Sequence, residues 1–152
     1  MFLYALILTS SIAHGGDYKV YKNWKSKYSS PDIIICKDAK TKKSVVKKAV
    51  DFWESEGFDI GSIITEKNNE CKKEWKSGYI LIAGKRDLNT GTKHGSTIPW
   101  LSKKTKNITS AIIKLEPKKA NSLELVKHEM GHALGLDHSG NYGHIMYEYG
   151  NY

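Results

Sequence analysis

The stretch His128-Glu129-Met130-Gly131-His132-Ala133-Leu134-Gly135-Leu136-Asp137-His138 decides how this chain is read. It has the form H-E-x-x-H-x-x-G-x-x-H, and each fixed position has its own physical task. On a helix, His128 and His132 lie one turn apart and project from one face, so both imidazoles reach a single metal ion. Glu129, beside the first of them, is placed to handle a proton of water at that metal. Gly135 falls where the helix must stop, and glycine accepts the left-handed turn that stops it. The chain then doubles back and offers His138 as a third ligand. Three protein ligands leave a fourth position open, which is the arrangement of a catalytic zinc site rather than a closed structural one.

The five-residue core of the motif is a weak signal alone, because amphipathic helices carry histidine and glutamate on solvated faces. The glycine and the third histidine at fixed distances make coincidence hard to sustain. Ile145-Met146-Tyr147 follows, with Met146 eight residues past His138. A plain core methionine is the alternative reading there. After the extended motif, a soft, apolar side chain in a turn suits packing beneath a histidine cage.

The extended motif followed by a methionine turn is the metzincin pattern. The run from His128 to Ser139, with Gly131, Ala133, Leu134, Leu136 and Asp137 inside it, resembles the active-site segment of matrixins, as do the spacing to Met146 and the Met146-Tyr147 pair. The resemblance implies one catalytic Zn2+ ion on His128, His132 and His138, with Glu129 as general base in the hydrolysis of peptide bonds. It implies a protein or peptide substrate, lying extended against an edge strand near Gly95, Ser96, Thr97 and Ile98 and pairing with it as an added strand. Tyr147 and Tyr149 are read as lining the primed side or offering a hydroxyl to the reaction intermediate. Tyr149 stands three residues past Met146 rather than the two that carry the zinc-binding tyrosine of astacins and serralysins, so it is not read as a ligand.

The chain departs from matrixins in three ways. Six residues follow Met146, whereas matrixin domains continue into a helix that shapes the pocket beyond the scissile bond, so shallow side-chain selectivity is expected. His94 is the single histidine between the first helix and the active-site helix, so the second, structural zinc of animal matrixins is not expected. No propeptide carrying a silencing cysteine is recognisable.

Composition sets the wider bounds. At 152 residues the chain is long enough for one core and not for two. Its 39% hydrophobic and 26% charged residues are those of an ordinary globular protein. No stretch approaches the roughly 20 apolar residues of a membrane span. Residues 1–13 are apolar and end in Ser11-Ile12-Ala13, with small residues where a signal peptidase reads; they are read as a secretory signal, a buried first strand being the alternative. An N-terminal segment at 14–30 and a catalytic domain at 31–152 follow. Cys36 and Cys71 fit a secreted context in which they pair; two buried thiols in a reducing compartment are the alternative. The net charge of +8 comes from scattered lysine clusters without interleaved aromatics. They read as solvated surface, so no specific nucleic-acid partner is expected, and the chain is read as a monomer.

Along the chain, residues 32–36 read as a buried strand and 41–56 as an amphipathic helix stopped by Gly57. Strands are expected at 60–66, 78–83 and 109–115, and an edge strand at 95–100, where Pro99 suits no other place in a sheet. Asn121 with Glu124 forms a capping-box-like start to the histidine helix. The expected fold is therefore α+β: a metzincin-like (zincin) catalytic domain with a five-stranded mixed sheet, a backing helix, an active-site helix and a short tail after the methionine turn. Asp87-Leu88-Asn89-Thr90-Gly91 alternates oxygen side chains before a glycine, as Ca2+ loops do. Lacking a bidentate glutamate at its end, it reads as an ordinary turn, with calcium as the lesser alternative. Asn107-Ile108-Thr109 is a glycosylation sequon, meaningful only in a eukaryotic secretory pathway. The competing functional hypothesis is a non-proteolytic secreted module with a structural zinc and a basic binding surface. Glu129 weighs against it, since a structural site needs no base beside an open coordination position.

Overall fold

The computed structural model describes residues 18–67, 69–73, 76–84 and 94–148. Residues 1–13, the Asp87–Gly91 stretch and Tyr149 lie outside them. The described chain runs β1 (Asp32–Ile35), α1 (Lys43–Ser55), β2 (Ile63–Thr65), β3 (Tyr79–Gly84), β4 (Gly95–Leu101), β5 (Ile108–Leu115) and α2 (Leu123–Ala133). The strands form one five-stranded sheet in the order β2-β1-β3-β5-β4. β2, β1, β3 and β5 pair in parallel and β4 joins antiparallel at the edge. This is the α+β architecture expected from the sequence.

The central strands carry apolar runs on both faces because both faces are covered. Ile33, Ile35, Ile80, Ile82, Ile113 and Leu115 enter the larger core with α1 and α2. The intervening Ile34, Leu81 and Ile112 form a smaller cluster with Cys36 on the opposite face, closed over by Trp100 and Cys71. Helix α1 contributes Val46, Ala49, Val50 and Trp53 to the larger core. Trp53 is fully buried, and its indole Nε1–H donates to the Lys127 carbonyl at 2.9 Å. That bond satisfies the buried donor and fixes α1 against the helix that carries the histidines.

Two local expectations are revised. Helix α2 is capped by Ser122, whose hydroxyl accepts from the Leu125 N–H at 3.3 Å. Asn121 instead bridges the two helix starts, accepting from Lys42 N–H at 2.8 Å and donating to the Lys40 carbonyl at 3.0 Å. Its amide thus serves α1, which has no side-chain cap of its own. Strand β2 begins at Ile63 rather than at residue 60, because Gly61 and Ser62 give their N–H groups to the Pro31 carbonyl and the Asp32 carboxylate.

Cys36 and Cys71 form a disulfide across a sequence separation of 35. Glu66 braces both ends of it, accepting from Lys37 N–H at 2.8 Å and Cys71 N–H at 3.1 Å. Closing a loop of this length constrains the unfolded chain by about 3–4 kcal/mol in the entropic model. Denaturant unfolding with and without reductant should differ by that order, and mass spectrometry of unreduced protein should show no free thiol.

Candidate metal centre

Helix α2 is buried along the face it turns to the sheet, with Leu125, Val126, Met130 and Ala133 in the core. Two residues of the histidine motif are nearly as enclosed: His128 is 4% exposed and Glu129 5%. The helix ends at Leu134, and Gly135 follows with φ +98°. A side chain there would be strained by that φ and would strike the Lys22 carbonyl at 1.9 Å, so glycine is required twice over. The reversal swings His138 back towards the helix.

The three histidines converge. His132 Nε2 lies 3.1 Å from His128 Nε2 and 3.1 Å from His138 Nε2. The tautomers of two rings follow from what their other nitrogens meet. His128 Nδ1 stands 2.8 Å from the Ile145 carbonyl and His132 Nδ1 stands 2.9 Å from the Leu136 carbonyl. A carbonyl only accepts, so each Nδ1 carries the hydrogen and each Nε2 turns a lone pair inward. Two lone pairs at that distance repel unless a cation lies between them. Tetrahedral zinc at about 2.0–2.1 Å from each nitrogen needs nitrogens about 3.3 Å apart, so the donor set fits that ion. Burial reinforces the choice: it pushes the His128 imidazole down to about 4, against the opposing pull of the Ile145 carbonyl, and the neighbouring His132 and His138 rings push the same way. A ring held neutral is ready to ligate.

Met146, 1% exposed, packs against α2 at Gly131, between the first two histidines of the motif. A Cβ on Gly131 would sit 2.3 Å from the Met146 sulfur and 2.8 Å from Trp53, so the thioether fills the space that glycine leaves. The turn is closed by Ser139 N–H donating to the Met146 carbonyl at 2.7 Å. Tyr147 follows directly, its ring against that of Tyr142 at 5.6 Å.

The edge strand supplies the opposite wall. Thr97 Oγ1 is 2.6 Å from Glu129 Oε2 and 2.9 Å from the Glu129 carbonyl. A Cβ on Gly95 would sit 2.7 Å from Glu129 Oε1. The carboxylate therefore rests on two alternate residues of β4, which is how one face of a strand meets a neighbour. Of the four residues expected to face substrate, Gly95 and Thr97 stand at Glu129. Ser96 and Ile98 alternate with them on the other face, and Ile98 is paired with Ile112 of the smaller cluster. His94 pairs its Nδ1 with Glu116 at 2.5 Å, next to the start of the strand.

Several contacts that shape the centre have no signature in the motif. The segment before the first strand laces onto the histidine loop. Asp137 N–H donates to the Lys19 carbonyl at 2.8 Å and Tyr21 N–H to the Gly135 carbonyl at 2.9 Å. Trp24 Nε1 donates to the Ala133 carbonyl at 2.9 Å. Those partners are more than a hundred residues apart in sequence, and only the fold joins them. The Asp137 carboxyl is held below its usual range, first by the His138 backbone N–H and then by Lys19.

A family model for Matrixin matches residues 23–152. The chain belongs to the matrixin family. The three-histidine cluster is a group able to hold a metal ion. Comparison with curated proteins finds no match. Among solved structures, this matrixin is similar to metalloproteinase-II from Bacteroides fragilis, at 16% identity and a TM-score of 0.45, over 90% of this chain and 52% of that one. The chain thus spans about half the length of that protein.

A pH dependence follows from the depressed His128 value. In the metal-free protein the unfolded chain takes up this proton below its ordinary 6.5, while the folded chain resists until about 4. Stability is therefore full above pH 6.5 and is lost as pH falls towards 4, by up to about 3 kcal/mol. Urea unfolding at pH 7.5 and 4.5 should show that loss, and His128→Leu should shrink it.

Proposed function

We propose that this matrixin is a secreted zinc-dependent endopeptidase in which His128, His132 and His138 hold one zinc ion and Glu129 is the general base. The observation that carries the reading is the juxtaposition of converging imidazole nitrogens with a buried carboxylate on the open edge of the sheet. Zinc bound there supplies the Lewis acidity that makes water a nucleophile near neutral pH and polarises a carbonyl. The remaining work falls to the chain. Glu129 accepts a proton as the water oxygen bonds to the peptide carbon, and returns it to the nitrogen as the C–N bond breaks. Thr97 anchors one carboxylate oxygen, which fixes the direction in which the other can take that proton. Gly95 and Thr97 offer their backbone groups to an extended peptide.

The disulfide is consistent with the extracellular part of this reading. Among the described residues, no helix is long and apolar enough to cross a membrane.

The base and the ligands should separate on mutation. Glu129→Gln keeps size and helix but cannot accept the proton; it should retain about one zinc per chain and lose at least 10²–10⁴-fold in turnover. His138→Ala should instead lower zinc affinity, since two ligands from one helix hold the ion weakly. Metal content read beside cleavage of a quenched peptide, with and without chelator, distinguishes the two. Glu129→Gln at wild-type rate would mean that Glu129 is not the general base.

Thr97 should act on rate through Glu129. Thr97→Val removes the hydroxyl at constant volume and should lower kcat by about 10–100-fold, the range expected when one hydrogen bond that positions a catalytic group is lost. Thr97→Ser should recover most of it. Equal losses in the serine and valine variants would assign the effect to packing.

A further inference from the structure

We propose that Pro99 ends the substrate-binding ladder on the edge strand. An extended peptide would pair in both directions with Gly95 and Thr97 and find only an acceptor at the next position. This rests on the peptidase reading and concerns how far along the strand a substrate is held.

The argument begins with hydrogen-bond parity. In an antiparallel pair, residues alternate between those that exchange backbone hydrogen bonds with the partner and those whose groups point away from it. Glu116 N–H donates to the His94 carbonyl at 2.8 Å. The register of β4 on β5 pairs Gly95 with Leu115, Ser96 with Lys114, Thr97 with Ile113, Ile98 with Ile112 and Pro99 with Ala111. His94 therefore belongs to the bonded set, as do Ser96 and Ile98, two and four residues on. Gly95, Thr97 and Pro99 belong to the other set, and their backbone groups face outwards. β4 is the last strand of the sheet, so outwards is where an added strand would lie.

Gly95 and Thr97 each present an N–H and a carbonyl on that edge; Thr97 bonds Glu129, and Gly95 leaves the space that its carboxylate takes. Pro99 presents a carbonyl alone. Its missing N–H costs the sheet nothing, because that position does not bond to β5. It costs an incoming strand one donor, at the first rung beyond Thr97. The register then breaks between Trp100 and Leu101, where a bulge interrupts the even spacing that a further rung would need. Two independent features of the strand thus stop the ladder at one end, while the Glu129 end keeps complete rungs. The consequence is directional specificity by length: residues added to a substrate along Pro99 gain little, and affinity is concentrated beside the site.

Zinc-loaded Glu129→Gln, which should bind without cleaving, allows binding to be measured apart from turnover. Its Kd is measured by fluorescence anisotropy for a nested series of peptides lengthened one residue at a time at each end, with and without Pro99→Ala. Cleavage of the same peptides by the wild-type enzyme is measured in parallel. With Pro99 in place, affinity should rise less per added residue at one end, once the peptide passes the rung of Thr97, than at the other. Pro99→Ala restores a donor, so the ratio of long-peptide to short-peptide affinity at that end should rise by about 2–10-fold, the range for one added hydrogen bond. Affinity that rises equally at both ends, or a Pro99→Ala effect that is uniform across lengths, overturns the proposal. If the length limit appears in binding while the wild-type enzyme cleaves nothing, the ladder stands and the peptidase reading falls.

Discussion

The Nε2 atoms of His128 and His132 stand 3.1 Å apart, each turning a lone pair inward, and His138 Nε2 lies 3.1 Å from His132 Nε2; a cation between them relieves that repulsion. The surrounding structure is organised to keep those nitrogens there. The Ile145 and Leu136 carbonyls fix the tautomers of His128 and His132. Met146 fills the space over Gly131, and the segment from Lys19 to Trp24 binds the loop that presents His138. Each of these partners lies outside the helix that carries the first two histidines. Orientation by such outer contacts is what tunes a metal ligand and keeps its geometry.

The same logic applies to the carboxylate. A charged group as buried as Glu129 is costly unless it is hydrogen-bonded. Thr97 provides that bond from the edge strand, and Gly95 makes room by having no side chain. The core behind the site is what makes this placement rigid. Trp53 locks α1 to α2 through the Lys127 carbonyl, and Asn121 ties the starts of the two helices together. The helix cannot rotate away from β4 without breaking those bonds.

An edge strand is exposed to unwanted pairing, and proteins blunt such edges with proline and bulges. Here Pro99 and the bulge at Trp100/Leu101 occupy one end of β4, and the end next to Glu129 stays regular. The blunting thus falls at the end of the strand away from the carboxylate.

The sequence by itself determined the helix that carries His128, Glu129 and His132, its stop at Gly135, the return of His138, and the order of strands and helices. Those features are local: a 3.6-residue period, a residue that tolerates positive φ and alternating or continuous apolar runs leave their mark within a few positions. It also placed Pro99 on an edge, since proline has no donor to give a central strand. Only the tertiary structure decided which carbonyls set the histidine tautomers, that Thr97 meets Glu129, and that Lys19 to Trp24 brace the histidine loop. It also decided that Ser122 rather than Asn121 caps α2, and that Ser96 and Ile98 turn away from Glu129. Those contacts join residues far apart in sequence, and a one-residue shift in strand register would exchange the two faces. No local pattern fixes that register; the packing of β4 between β5 and α2 does.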